Sequence, residues 1–442
     1  MAALMAAHAG QSLPKQMCGW PELKAAYRFL NNPRVDPAKI GAAHRAWTRR
    51  QCAGHAVVLL VQDDTELHGA KVAGGKGGEW GEVLHTTLAV TPSGELLGIM
   101  DQRWFEHRAP VKGETQAQRA ARWRESDVWP EAAQAVASQG APPSGCRYLH
   151  VADRASDTLL FMHACIKVGH GFAIRAKHDR RVEEHTVTLW AHLGSRPVVG
   201  TLTAQIGVQR DMAGKVTRRG REATLSVRYA TVRLERPWNH PADVEPLTVQ
   251  AVYLKEEGPP EGIEPVDWML LTSAAVHSFA EACVIAGYYQ QRWVIEEWHR
   301  CLKEGCKLEW SQVETTLALR RLSALLSVIA VRMLRLRDLA DRPQQTAPAT
   351  LRASVPWTWI VVVALLAQPH PRRSLRGNSG WPSPARRLHR PQTRRPSRLE
   401  SNLARLVRYQ PHGPLRRTAG KSTVGWKKLW VRVRTASADF GL

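Results

Sequence analysis

The sequence predicts an α/β fold: a mixed-sheet core entered through a small helical piece, with a β-rich insertion before its last functional helix and a basic tail behind it. Three observations carry this. The apolar runs Ala56–Val61 and Tyr148–Ala152 read as buried strands, set among stretches of helical pattern. Between Arg196 and Thr272 the pattern changes to short alternating segments separated by Gly, Pro and polar turns, which reads as antiparallel sheet. Tyr288–Leu308, YYQQRWVIEEWHRCLKEGCKL, contains no proline and has the length and composition of a helix.

Composition bounds the class. At 442 residues the chain can form two or three domains, each with a proper core, and a hydrophobic fraction of 44% is that of a globular protein. The 62 basic residues against 39 acidic ones give a formal charge of +23, pointing to a polyanionic partner, nucleic acid before a membrane surface. Residues 371–442 hold 18 Lys or Arg against two acids, so the excess says little about the folded body. Seven cysteines without CxxC spacing argue against a disulfide framework or a zinc knuckle and suit a reducing cytoplasm. The opening residues lack the apolar core of a signal peptide, and the longest apolar run, Trp359–Ala367, is too short to cross a bilayer.

Taken in order, residues 20–50 predict two helices around the proline-bearing break NNPRVDP, within a partial N-terminal helical DNA-binding region, 1–52. HAVVLLVQDDT predicts a strand ending at Asp63 and Asp64. After a glycine-rich loop, Gly74–Gly78, two strands join at Pro92-Ser93-Gly94 as a hairpin. RESDVWPEAAQAVASQ reads as a helix, Tyr148–Ala152 as a strand ending at Asp153, DTLLFMHACIKVG as a helix and GFAIRAK as a last strand. Strand, hairpin, helix, strand, helix is the order of an RNase H-like domain, here 53–195. The β-rich insertion follows at 196–275, and the core resumes at 276–342 with an amphipathic packing helix over Leu317–Leu339. An Arg/Pro-rich region occupies 343–442.

On the Tyr288–Leu308 helix, Tyr289, Arg292, Glu296 and Lys303 return to within roughly 60° of one another, while Val294, Ile295, Trp298 and Leu302 fall opposite; Gly305 is the expected left-handed stop. Taken alone this face fits a surface helix with an Arg292–Glu296 pair as well as a phosphate-gripping site. Asp63, Asp153 and Glu296 fall at topological points that bring strand ends and a covering helix together. Three carboxylates there suit Mg²⁺ or Mn²⁺, two ions of which serve phosphodiester cleavage.

The spacing Tyr289, Arg292, Glu296, Lys303 resembles the Y-R-E-K signature of bacterial insertion-sequence DDE transposases of the IS-four type, enzymes with an RNase H-like core. QDDT at Asp63 and VADRASD at Asp153 are similar to their two aspartate motifs, and AAYRFLNNPRV, FAIRAKH, WMLLTS and GWKKLW extend the likeness, which covers roughly residues 15–340. The resemblance implies cut-and-paste chemistry on double-stranded DNA: nicking at inverted-repeat ends, a hairpin intermediate and strand transfer. Asp63, Asp153 and Glu296 would hold two metal ions. Tyr289, Arg292, Lys303, Arg175, Lys177 and His178 would contact DNA, and Trp268 either stacks on a flipped base or fills the core. A homodimer on DNA, a bacterial cytoplasm and no membrane are implied.

The sequence departs from the family at three places. Asp64 stands where Thr is usual, which could shift the ligand by one residue; alignment of the strand end favours Asp63. The chain enters the end-recognition domain just ahead of AAYRF. Residues 344–417 do not resemble the dimerisation region and read either as a shifted frame or as a disordered basic tail. A catalytically silent DNA-binding remnant and a general metal-dependent nuclease are the alternative functions.

Overall fold

The computed structural model describes residues 1–17, 19–67, 82–107, 113–115, 118, 122–182, 187–206, 209–210, 216–218, 220–236, 244–311 and 313–340. The glycine-rich loop at 74–78, the apolar run at 359–367, GWKKLW and the rest of 343–442 lie outside them.

The chain begins with five helices, α1 Ala2–Ala7, α2 Leu13–Gln16, α3 Trp20–Asn31, α4 Pro37–Ile40 and α5 Ala42–Gln51. The sheet then starts with β1 Val57–Leu67, β2 Glu82–Val90 and β3 Leu96–Glu106. β2 and β3 turn through Gly94, whose φ of +87° is left-handed backbone that a Cβ disfavours. Helix α6 Val128–Ser138, β4 Arg147–Ala152, α7 Leu159–Lys167 and β5 Gly171–Arg175 follow. Both β1–β4 and β4–β5 pair parallel. Parallel neighbours need a crossover, which α6 and α7 supply.

After α8 Leu189–Gly194 come β6 Gly200–Ile206, a short ribbon of β7 Gln209–Arg210 and β8 Val216–Arg218, then β9 Arg221–Leu234, β10 Leu247–Glu256 and β11 Asp267–Thr272. Apart from the ribbon, all the strands form one nine-stranded sheet in the order β3-β2-β1-β4-β5-β11-β10-β9-β6. The antiparallel strands of 196–275 therefore do not form a sheet of their own. They continue the first one, because Leu270–Thr272 pair with Ala173–Arg175.

Two expectations about β1 and the late helices change. β1 does not end at Asp63 and Asp64. It runs on because β2 pairs with it as far as Leu67 opposite Glu82, and what ends earlier is the parallel ladder to β4, whose last pair is Val61–Val151. The predicted helix at Tyr288–Leu308 is also not one helix. α9 Phe279–Gln290 stops, a turn at Gln291 and Arg292 intervenes, and α10 Trp293–Arg300 passes into a π turn, Cys301–Gly305. The left-handed residue is Lys307, φ +54°, and not Gly305. The last described helix, α11, spans Thr316–Ala340.

The sheet is covered on both faces. Leu59 and Val61 of β1 pack with Ile295, Trp298, Leu302 and the buried side of α11, while Val58 and Leu60 pack with Cys52, Val136 and Tyr148 under α5 and α6. The N-terminal helices share the first of these cores through Met5, Leu13, Met17, Ala26 and Leu30.

Two polar contacts pin them there. Arg321 of α11 is almost fully buried and donates to the carbonyls of Val35 and Leu30, both at 2.6 Å. His44 of α5 accepts the Ile99 N–H at 3.2 Å, and burial, then Arg332, Arg335 and Arg45, hold its pKa down at about 4.

Arg321→Ala removes both donors from buried carbonyls and is expected to lower the unfolding free energy by about 3 kcal/mol, measured by denaturant titration. His44 stays neutral in the fold but charges in the unfolded chain below its ordinary 6.5, so its contribution is present above pH 6.5 and lost as the pH falls towards 4. A loss on the order of 3 kcal/mol across that window is expected, and His44→Gln should flatten it.

Candidate functional site

The register of β1 and β4 decides which side chains meet. Asp63 and Asp153 each lie two residues beyond the last parallel pair, Val61–Val151, and share the face of those two valines. That is the face covered by α9, α10 and α11. Asp64 points the other way. Its Oδ1 lies 2.6 Å from Nδ1 of His85 on β2, beneath α6. Parity along the strand thus puts Asp63, and not Asp64, on the face of Arg292 and Glu296.

Arg292 joins the strand to the helix. Its Nη1 donates to Asp63 Oδ2 at 3.0 Å and its Nη2 to Glu296 Oε1 at 2.5 Å. Burial opposes its charge, but Tyr289, Glu296 and Asp63 outweigh that and hold the guanidinium firmly protonated. Asp63 itself is pushed up to about 7, first by burial and then, against the pull of Arg292, by the charges of Asp153 and Glu296. Both of the other predicted carboxylates therefore act on Asp63. Asp153 keeps one oxygen occupied, accepting the Ala155 N–H at 2.8 Å as the cap of a short 3₁₀ turn, Arg154–Ser156.

These carboxylates offer hard oxygen donors of the kind Mg²⁺ and Mn²⁺ take. The donor set fits a divalent cation. Among the described residues, no three such side chains are gathered closely enough to chelate one ion as they stand, because Arg292 holds Asp63 and Glu296.

The remaining predicted residues divide. Tyr289 does not belong to an exposed polar front: it is buried, its ring edge-on to Trp268 with centroids 5.5 Å apart. Burial raises its pKa, and it is in hydrogen-bonding contact with Arg175. The reason is the turn at Gln291 and Arg292, which ends α9 with Tyr289 on its packed side. Trp268 is half-buried against the core while its neighbour is that tyrosine. Arg175 donates to the Asp267 carbonyl at 2.7 Å. Lys303 lies in the π turn and is paired with Glu309 at 3.2 Å. Lys177 and His178 are exposed, and both of their backbone N–H groups donate to Asp157 Oδ2, at 2.6 and 3.0 Å.

Asp157 was not singled out by sequence. It is buried with Arg180, whose Nη1 reaches its Oδ1 at 2.6 Å, and the pair fixes the loop that carries Lys177 and His178. The available signal was a second aspartate four residues after Asp153. His299 also escaped notice, three residues beyond Glu296. Burial, then Lys303, His85 and Arg292, hold it neutral with a pKa of about 3, and its Nε2 has no hydrogen-bond partner among the described residues. On the opposite face of the sheet runs a buried polar chain: Asp64, His85, Gln62, His150 and His170, with successive contacts of 2.6, 3.0, 2.5 and 3.0 Å.

Residues 1–35 match a family model described as transposase DNA-binding. The match takes in α1, α2 and α3 and the carbonyls that Arg321 holds, so this segment is packed onto the core. No helix among the described residues is long and apolar enough to cross a membrane.

The position of Asp63 predicts a measurable coupling. A double-mutant cycle of Arg292→Gln with Asp63→Asn should give an interaction free energy of about 1 kcal/mol or more in denaturant unfolding. The same cycle with Asp64→Asn should stay within about 0.4 kcal/mol of additivity, since the sheet separates the two groups.

Proposed function

We propose that this chain is a DNA transposase with an RNase H-like core, cleaving phosphodiester bonds at the ends of a mobile element and joining them to a target. The match to a transposase DNA-binding family supports the DNA partner. The observation that carries the catalytic reading is the convergence of Asp63, Asp153 and Glu296 on one face of the sheet, from strands aligned in parallel and a helix packed across them. The strand order β3-β2-β1-β4-β5, with β1, β4 and β5 parallel, agrees with the RNase H-like arrangement.

In this reading Asp63, Asp153 and Glu296 hold Mg²⁺ or Mn²⁺. When bound, the ions lower the pKa of an attacking water or hydroxyl and stabilise the leaving oxygen. The protein's own contribution is placement. Asp153 is preset by its bond to Ala155, and Glu296 is carried on a helix anchored by Ile295, Trp298 and Leu302. Arg292 exchanges part of its hold on the two carboxylates for a DNA phosphate, a planar guanidinium being suited to either. Lys177 and His178 present exposed donors to the backbone, on a loop fixed by Asp157. Lys303 reaches DNA by releasing Glu309. Trp268 and Tyr289 form an aromatic pair beside Arg175, where an unstacked base at a cleaved end would lie. Two copies acting on paired ends follow from the same reading.

The test is cleavage of a DNA carrying the inverted repeats that flank the gene, with Mg²⁺ or Mn²⁺ supplied. Nicking by the unaltered chain, lost by a factor of at least about a thousand in Asp153→Ala and Glu296→Ala with binding retained, is expected. Binding of the repeats without any nicking by the unaltered chain would establish the silent remnant instead. Nicking that ignores the repeats and never joins strands would mark a general nuclease.

A further inference from the structure

The carboxylate cluster occupies one face of the sheet; a second concentration of uncompensated charge lies on the other side. Helix α5 and the loop after α6 border a groove of about 680 Å³ lined by Ala42, Arg45, Ala46, Arg49, Arg50 and Pro143, among others. Arg45 donates to the Ala38 carbonyl at 2.7 Å, and Arg49 donates to the carbonyls of Gly140 and Ala141 at 3.0 and 2.9 Å. Carbonyl oxygens orient these guanidinium groups without neutralising them. Arg50 is exposed, and among the described residues none of the three arginines is ion-paired.

Three features make this more than a charged helix surface. Arg45 and Arg49 stand one turn apart and repel each other, an arrangement that an isolated helix disfavours. Arg49 is held across the groove by a close approach to Gly140, where a Cβ would come within 3.1 Å of its Nη2. The alanines at 42, 46 and 53 leave the groove floor free of long side chains, so a bulky backbone can approach it. The positive field is felt nearby, since Arg45 joins Arg332 and Arg335 in keeping His44 neutral.

We propose that this groove is a second DNA contact, binding the phosphate backbone of a duplex segment distinct from the one at the carboxylates. The two are distinct because Val58 and Leu60, which pack beneath α5, and Val61, which leads to Asp63, face opposite sides of the sheet. Small lining residues and unpaired guanidinium groups match a phosphodiester backbone, and contacts to the backbone carry no sequence information, so the contact is independent of sequence. The proposal rests on the reading of the chain as a DNA-acting protein. Its test uses binding alone, so a failure of cleavage leaves it standing.

The experiment measures the affinity of the full chain for a fluorescent duplex lacking the inverted repeats, over a series of salt concentrations. Arg45→Gln with Arg50→Gln keeps side-chain donors and removes two charges. The slope of log affinity against log salt should fall in magnitude by about 1.8, with at least about a tenfold loss of affinity at 0.1 M salt. Lys167→Gln with Lys255→Gln removes the same net charge at exposed positions elsewhere and should leave the slope unchanged. An unchanged slope in the arginine variant, or an equal fall in the lysine control, overturns the proposal. Should the double variant unfold, Arg50→Gln alone, which disturbs no hydrogen bond, must still lower the slope by about 0.9.

Discussion

Asp63 is largely buried, the charges of Asp153 and Glu296 oppose its ionisation, and the cation that holds Asp63 and Glu296 is Arg292. Arg292 occupies that position because α9 and α10 are not continuous. The turn at Gln291 and Arg292 lets one guanidinium reach a strand residue and a residue one turn further along the helix. Burial costs the guanidinium some of its solvation, yet the carboxylates it touches return more than that, so it stays charged. The core side chains around it, Ile295, Trp298 and Tyr289, fix the angle at which the helix delivers Glu296 to the strand ends.

Much of the sheet was legible in the sequence, because its signals are local. The apolar run before Asp63, the Pro92-Ser93-Gly94 turn and the alternating segments of the insertion each correspond to an element. The sequence favoured Asp63 over Asp64 as the end of the strand. The strand runs past both, and it is the packing of its two faces that tells them apart. The break in the long helix was hidden for a different reason. Gln291, Arg292 and Trp293 include neither glycine nor proline, so nothing in the pattern interrupts the helical period there. Tyr289 was consequently placed on the polar side, when the turn leaves it in the core. The continuity of the insertion with the first sheet rests on three residue pairs between β5 and β11, a contact between segments about a hundred residues apart that no periodicity records.

The N-terminal segment that matches transposase DNA-binding sequences is not an appendage. Its apolar residues belong to the same buried cluster as β1 and α11, and Arg321 holds two of its carbonyls. A displacement of that segment is thus passed into α11, which packs against the π turn carrying Lys303. The segment that matches the DNA-binding family and the three carboxylates belong to one packed body.

The buried chain of Gln62, His85, His150 and His170 has a consequence for how the strands find their alignment. These side chains spend polar atoms on one another across β2, β1, β4 and the residue before β5, and all four are buried. A slip of β1 by a single residue would turn Gln62 to the opposite face, take it from His85 and His150 and exchange the places of Asp63 and Asp64. Polar groups under one face of the sheet therefore act as a key that admits only one alignment, and the carboxylate presented on the other face is chosen by that key.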